Sequence, residues 1–318
     1  MNHARIKYIL PKKQLLKQRR PDTPIIIFLY NVTMTIILIV IVLFVAVCII
    51  KILRALNWVK PPLENFPKDF NLQAENITFK TKDGVSLKGW FIPSPKNKST
   101  NKTLILMHGF EMDKGDILPQ TIYLAQKYNL FYFDFRGMGE SKGKSAQGLQ
   151  EYLDCQAALK YLKRKKPQQA KEIALYGISL GASIAAYIAA QNKEIKAVIL
   201  ESCFYSYIKV ASKWAWTHHT LPYFPIVFIF LLFKRLKFKI GLEDFAPKNS
   251  VPLIKCPVLQ IHGRKDYLVP YKLALRLFDC LNTKKEFWLA ETGGHTSSYK
   301  KEPVKYRKTV ESFLEKYF

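Results

Sequence analysis

Ser179 stands in Gly177-Ile178-Ser179-Leu180-Gly181, a G-x-S-x-G run. The β-rich stretch Glu172–Tyr176 precedes it, and Ser179–Ala190 carries Ala and Ile at helical spacing. A strand that turns at once into a helix lifts a serine hydroxyl off the end of a sheet, provided the turn is tight. Glycine on either side removes the Cβ atoms that would clash there. The helix behind it aims its N-terminal amides at negative charge developing on a reacting carbonyl. The chemistry this spacing supports is nucleophilic attack by Ser179. A bare G-x-S-x-G also occurs as an ordinary strand–helix turn; the flanking strand and helix favour the nucleophile here.

The elements that must position this serine follow from periodicity. Ile77–Lys80 and Val85–Ile92 flank Asp83-Gly84, a hairpin signal. Further strands are predicted at Thr103–Met107, Leu130–Phe135, Glu172–Tyr176, Ala197–Leu200, Val258–Ile261 and Glu286–Leu289. Helices are predicted around Ile117–Tyr128, Leu149–Lys163, Ser179–Ala190, Tyr271–Leu281 and Val304–Tyr317. A hairpin followed by strand–helix alternation implies an α/β fold with a mostly parallel central sheet and helices on both faces. Ligands of such sheets bind beyond the carboxyl ends of the strands, and the polar motifs of this chain fall just after strands.

Several motifs in register make the stretch from Asn76 to Phe318 resemble the α/β-hydrolase superfamily. The likeness is to membrane-anchored bacterial and ABHD-type hydrolases related to serine aminopeptidase-like and dipeptidyl-peptidase-like domains. Leu106-Met107-His108-Gly109-Phe110 resembles the family's oxyanion loop, which implies oxyanion donors at the backbone N–H groups of Phe110 and Leu180. Asp134-Phe135-Arg136-Gly137-Met138-Gly139-Glu140-Ser141 resembles a D-x-R-G-x-G-x-S turn that shapes the core. It lacks the third glycine and helix opening of a nucleotide-binding loop. Ile261-His262-Gly263-Arg264-Lys265-Asp266 resembles the loop carrying a triad acid, and Gly293-Gly294-His295 the triad-histidine loop. The resemblance thus implies a catalytic triad of Ser179, Asp266 and His295, in the chain order this fold uses. Covalent acyl transfer would follow, with His295 taking the serine proton and Asp266 fixing the imidazole. The expected function is hydrolysis of carboxylic esters or thioesters. A serine peptidase with the same triad and a catalytically silent scaffold are the alternatives.

Each assignment has a plainer rival. Asp266 also fits a cap on a helix starting near Val269. Glu201, just after a strand, is an alternative acid. Glu111, beside the oxyanion loop, suits a cationic substrate end or mere solvation. His3 precedes the apolar segment, His108 and His262 lie in His-Gly turns, and His218-His219 lack a third ligand at metal spacing. No nucleotide, flavin or metal signature appears, so neither a cofactor nor a metal is expected.

Between Glu201 and Lys255 the alternation breaks, which predicts a cap insertion at about 204–250. It carries Trp214, Trp216, Tyr223 and Phe224, the apolar run Ile226–Phe233, and then Lys234, Arg235, Lys237 and Lys239. Pro222 and Pro225 interrupt it, and its apolar part is too short to span a bilayer. Packing over the sheet is the ordinary use of such residues and the expectation here; contact with a membrane surface is the alternative.

The N-terminal part has a different composition. No charge occurs from Thr23 to Ile50, and Ile25–Ile50 is almost continuously apolar. Those 26 residues would span about 39 Å as a helix, against a ~30 Å hydrocarbon layer. A cleaved signal peptide would have an apolar core of only ~7–15 residues and small residues at its end. Val45-Ala46-Val47-Cys48 resembles a lipoprotein box only faintly, since Val47 takes a small residue's place. The predicted layout is a basic cytoplasmic N-terminus (1–24), a transmembrane helix (25–50), a Pro-marked linker (51–75) and a hydrolase domain (76–318). Arg5, Lys7, Lys12, Lys13, Lys17, Arg19 and Arg20 precede the helix, so the positive-inside rule puts the domain on the extracytoplasmic face.

The 318 residues carry 50 Lys+Arg against 24 Asp+Glu, a formal charge of +26. These charges are spread along the chain, with denser clusters bordering apolar stretches. That pattern favours a membrane over a nucleic acid as partner. The expected partners are a bilayer, through 25–50, and a small or lipid-like acyl substrate. Five cysteines without C-x-x-C spacing form neither a disulfide framework nor a zinc site.

Overall fold

The computed structural model describes residues 23–56, 62–96 and 100–318. The basic N-terminal cluster, His3 and residues 57–61 of the expected linker lie outside the described residues. The chain divides into two compact units between Leu56 and Asn57.

The first unit is one long apolar helix, α1 (Thr23–Leu56). Its apolar span Pro24–Arg54 has 31 residues, about 46 Å at the α-helical rise, so it is long enough to cross a bilayer. An anchor and a signal sequence share that property. The Thr35 hydroxyl donates to the Asn31 carbonyl at 2.8 Å, which satisfies this polar group within the helix.

The second unit is built on eight strands. In chain order they are β1 (Glu75–Lys80), β2 (Ser86–Ile92), β3 (Lys102–Met107), β4 (Asn129–Phe133), β5 (Glu172–Ile178), β6 (Ile195–Glu201), β7 (Val258–Gly263) and β8 (Lys285–Ala290). The sheet order is β1-β2-β4-β3-β5-β6-β7-β8. The β1–β2 hairpin and the β2–β4 pair are antiparallel, and every later pair is parallel. Connecting helices are α2 (Leu118–Thr121), α3 (Tyr152–Lys165), α4 (Leu180–Gln191), α5 (Tyr207–His219), α6 (Phe228–Phe238), α7 (Pro247–Ser250), α8 (Tyr271–Asp279), α9 (Ser298–Lys301) and α10 (Pro303–Tyr317).

Central strands are apolar on both sides, as a sheet covered on both faces requires. Ile105, Met107, Ile173 and Leu175 point into the layer beneath α3 and α4. Their alternating neighbours Leu104, Leu106, Ala174 and Tyr176 pack with Tyr306, Val310 and Phe313 of α10. Leu63, Phe66, Phe70 and Leu72, ahead of β1, also pack on this second face.

Three expected elements end differently, each for a local reason. β4 stops at Phe133 instead of Phe135. The Phe135 N–H leaves the ladder to donate to His108 Nε2 at 3.0 Å, and the Asp134 N–H donates to the Lys88 carbonyl at 2.9 Å. The helix over Ile117–Tyr128 breaks into α2 and the tighter turn Ile122–Gln126, because the backbone of Thr121 leaves helical geometry (φ −131°). The helix over Leu149–Lys163 starts only at Tyr152. Before it, the Glu151 carboxylate gathers the N–H groups of Ala146, Gln147 and Gly148 at 2.8–3.1 Å and holds them in a loop.

The D-x-R-G-x-G-x-S turn is a structural hub. Asp134 accepts from the Lys114 amide (2.8 Å), its ammonium (2.6 Å) and the Glu140 amide (2.9 Å). Gly139 (φ +51°) leaves no room for a side chain, since a Cβ would lie 2.3 Å from the Asp134 carboxyl carbon. Arg136 bridges Asp154 and Asp83.

The cap comprises α5, the turn Tyr223–Val227, α6 and α7. The expectation that its apolar residues pack over the sheet holds for Ile226, Val227 and Leu231, which are buried. It fails for the outer side, where Phe224 is 73% exposed and Leu236 67%. All five cysteines are free thiols.

Candidate active site

Ser179 follows β5 directly and caps the start of α4, with φ +51° and ψ −108°. A non-glycine residue holds such a backbone only where its surroundings over-determine it. Two glycines do so here. A Cβ on Gly177 would lie 2.2 Å from the Gly181 carbonyl oxygen, and one on Gly181 would lie 2.3 Å from that of Met107. The Ser179 N–H donates to the Glu201 carbonyl at 2.8 Å, which ties the turn to the next strand.

The loops after β7 and β8 meet at this serine. His295 Nε2 lies 3.0 Å from Ser179 Oγ, and its Nδ1 lies 2.7 Å from Asp266 Oδ2. Asp266 is buried but fully engaged: its Oδ1 accepts from the Leu268 N–H at 2.9 Å and the Val269 N–H at 2.7 Å. The carboxylate caps this turn and not a helix, because α8 begins only at Tyr271. The same group thus orders its own loop and faces His295. With Nδ1–H directed at Asp266, the imidazole presents Nε2 as the acceptor for the serine proton.

Leu180 is the first residue of α4, where the N–H points out of the helix end. Phe110 sits on the loop after β3. That loop passes close to the serine: a Cβ on Gly109 would be 3.6 Å from Ser179 Cβ. The Phe110 ring packs edge-on to Trp214 of α5 at 5.5 Å, so the cap reaches this loop.

Glu201 is not part of this group. Its Oε2 accepts from Tyr176 and Tyr306 hydroxyls at 2.7 and 2.6 Å and from Gln120 Nε2 at 3.3 Å. Burial pushes its carboxyl up to about 8. Glu111 is half-buried with φ +60°; burial raises its pKa, and nearby His218 opposes that rise. His218 and His219 pack against Trp214. No group of three or more metal-ligating side chains occurs among the described residues.

Sequence reasoning missed three supporting residues. Ser202 Oγ accepts from the Thr296 N–H at 3.1 Å and fixes the loop next to His295. His262 lies 3.4 Å from Asp266 Oδ2 and bonds the Val269 carbonyl at 2.8 Å; burial depresses its pKa. His108 takes the Phe135 N–H and its Nδ1 bonds the Gly109 carbonyl at 2.7 Å, stiffening the Phe110 loop. The available signal was positional, since His108 and Ser202 directly follow strands and His262 is the penultimate residue of one.

Comparison with known proteins agrees with this architecture. A family model described as serine aminopeptidase, S33, matches residues 98–226. Protein Bem46 of Schizosaccharomyces pombe is 30% identical over 227 residues, covering 70% of each chain. The esterase Pf2001 of Pyrococcus furiosus superposes with a TM-score of 0.68 at 26% identity, over 82% of this chain and 99% of that one. The acylaminoacyl peptidase of Pyrococcus horikoshii shares the fold alone, with a TM-score of 0.58 at 20% identity over 79% of this chain and 43% of its own. Sheet order, the serine turn between β5 and α4 and these likenesses agree: the chain belongs to the α/β-hydrolase superfamily, and its segment 98–226 is similar to the serine aminopeptidase, S33, model.

Proposed function

We propose that this protein is a membrane-anchored serine hydrolase that cleaves carboxylic esters or thioesters through an acyl-enzyme. The observation that carries the proposal is the Asp266–His295–Ser179 relay, with links of 2.7 and 3.0 Å, at a serine held at φ +51°. His295 Nε2 takes the Ser179 proton as Oγ attacks the carbonyl carbon. The N–H groups of Phe110 and Leu180 hold the resulting oxyanion, each donor being worth about 3 kcal/mol. Collapse breaks the bond to the alcohol or thiol, which leaves with the proton from His295. Water, deprotonated by His295, then attacks the acyl-enzyme and releases the carboxylic acid and free Ser179. Asp266 keeps the imidazole tautomer and stabilises the imidazolium. In this proposal α1 stays uncleaved as the anchor and the domain faces the extracytoplasmic side.

The test is labelling of the full chain in its membrane with a fluorophosphonate, beside Ser179→Ala. Labelling abolished by the substitution is expected; a folded wild-type chain that does not label refutes the proposal. A membrane-impermeant probe on intact cells should label equally well, and labelling only after lysis would reverse the orientation. Esters, thioesters and peptides of matched acyl groups, compared by kcat/KM, separate the esterase from the peptidase.

A further inference from the structure

Helix α6 is packed the wrong way round for water. Its inner side buries Leu231 and the lysine Lys234, which is only 6% exposed. The ammonium is tied to the Ala146 carbonyl at 2.9 Å and Gln147 Oε1 at 2.6 Å. Its outer side exposes Phe228, Ile229, Leu232, Phe233 and Leu236, spaced at three and four residues, so they form one stripe. Phe224 continues that stripe, with its ring 6.1 Å from Phe228. Tyr223 carries it to α5, where it lines an open groove with Trp216, Lys209 and Lys213. A soluble helix would bury the apolar side and expose the lysine.

Eight large side chains roughly half exposed, at about 150–250 Å² for an aromatic, present on the order of 800 Å² of apolar surface. The largest patch on an ordinary monomer is about 300–600 Å². Charge identifies the occupant. From Ser202 to Leu242 the chain has no acidic residue and six lysines or arginines. Of these, Lys209 and Lys213 flank the patch at α5, and Arg235, Lys237 and Lys239 at the end of α6; all five are exposed. A second copy docked symmetrically would bring these like charges together, whereas an anionic headgroup layer over hydrocarbon complements both parts. Covalent continuity with α1 would hold the domain that carries this surface near the bilayer that α1 is proposed to cross.

We infer that the outer face of α6 and the Tyr223–Val227 turn docks on the surface of an anionic lipid bilayer, with apolar side chains at the acyl boundary and the flanking basic residues on the headgroups. The inference draws on the anchor only for proximity and not on the triad. Its test uses the full chain reconstituted with a photoactivatable phospholipid, in phosphatidylcholine alone or mixed with phosphatidylglycerol, and crosslinked peptides are mapped by mass spectrometry. Peptides covering 223–236 should be labelled, several-fold more strongly in the anionic mixture, and raised salt should reduce the difference. The double substitution Phe233→Glu, Leu236→Glu should cut this labelling several-fold. Labelling of 24–54 and fluorophosphonate reactivity of Ser179, which reports an intact fold, should not change. Labelling of 24–54 without the cap overturns docking and leaves the anchor standing; the reverse pattern overturns the anchor alone. Crosslinks joining two caps in place of lipid would assign the surface to a second copy and overturn the inference.

Discussion

Replacing Asp266 by asparagine asks which acid serves His295, and the hydrogen bonds around Asp266 set the size of the answer. Its Oδ1 is held by two N–H donors, from Leu268 at 2.9 Å and Val269 at 2.7 Å. The asparagine oxygen must take that place, because the flipped amide would set an NH₂ against two donors and leave both unmatched, at about 1–3 kcal/mol each. The amide nitrogen then falls where Oδ2 now lies, 2.7 Å from His295 Nδ1. Two donors cannot share that line, so the imidazole must accept at Nδ1 and carry its proton on Nε2. That nitrogen lies 3.0 Å from Ser179 Oγ and in this tautomer it cannot take the serine proton. His262 offers no substitute, since it is engaged with the Val269 carbonyl. The expected loss in kcat is about 10⁴-fold, the cost of a wrong tautomer in a serine triad, or roughly 5.5 kcal/mol. Turnover of a soluble aryl ester measures it, with melting temperature and near-ultraviolet circular dichroism as controls for the fold. Glu201→Gln, measured in parallel, should stay within about threefold of wild type at neutral pH. If Asp266→Asn keeps more than about a tenth of the activity while Glu201→Gln loses it, the relay is wrongly assigned.

Stability should also depend on pH through Glu201, whose carboxyl rises from 4.5 to about 8 on burial. The folded chain keeps this proton while the unfolded chain releases it, so the contribution is complete below pH 4.5 and is lost as pH rises through 8. The slope is up to about 1.4 kcal/mol per pH unit and the total about 3–5 kcal/mol. Glu201→Gln should flatten thermal stability between pH 5 and 8, and parallel curves for the two proteins would rule out a protonated Glu201. Gly177→Ala puts a methyl 2.2 Å from the Gly181 carbonyl oxygen, a backbone clash that no rotamer relieves. It should cost about 3 kcal/mol or more and abolish fluorophosphonate labelling, and an unchanged melting temperature would contradict the close approach.

The parallel sheet was legible because its strands are apolar on both sides and separated by helical periods, as Leu104–Met107 and Ile173–Ile178 show. The three loops that meet at Ser179 were legible because their motifs resemble those of the hydrolase family, and because each follows a strand. What escaped the sequence depends on contacts between distant residues. Ser202 reaches the Thr296 N–H only because two loops 94 residues apart converge. The face of α6 was illegible for a different reason: Ile226–Phe233 is apolar all round, so periodicity cannot choose its inner side. That choice falls to Lys234, whose ammonium finds a carbonyl and an amide oxygen within the fold.

The end of β6 explains how three loops from separate parts of the chain hold one geometry. The Glu201 carbonyl receives the Ser179 N–H at 2.8 Å, and the Ser202 N–H donates to the Ile261 carbonyl at 2.9 Å. The Ser202 hydroxyl receives the Thr296 N–H beside His295. One strand end thus contacts the turn carrying the serine, the strand leading to Asp266 and the loop carrying His295. Ser202 can do this because its own backbone is turned out of the strand, at φ +50°. Ser179 and Thr296 are held at φ +51° and +53°, and such positions cost about 1–3 kcal/mol each, which the surrounding ladder and core must offset. A relay fixed by the sheet in this way is insensitive to what lies above it. Asp266 spends its hydrogen bonds on His295 and on the backbone of its own loop, so under the proposed acyl chemistry selectivity would come from side chains that approach from the cap. Trp214 packs on Phe110 and belongs to the same helix as Trp216 at the exposed apolar face. Helix α5 therefore carries both the ring that reaches the Phe110 loop and one edge of the exposed apolar face, while the Ser179–His295–Asp266 geometry is set by the ends of the sheet.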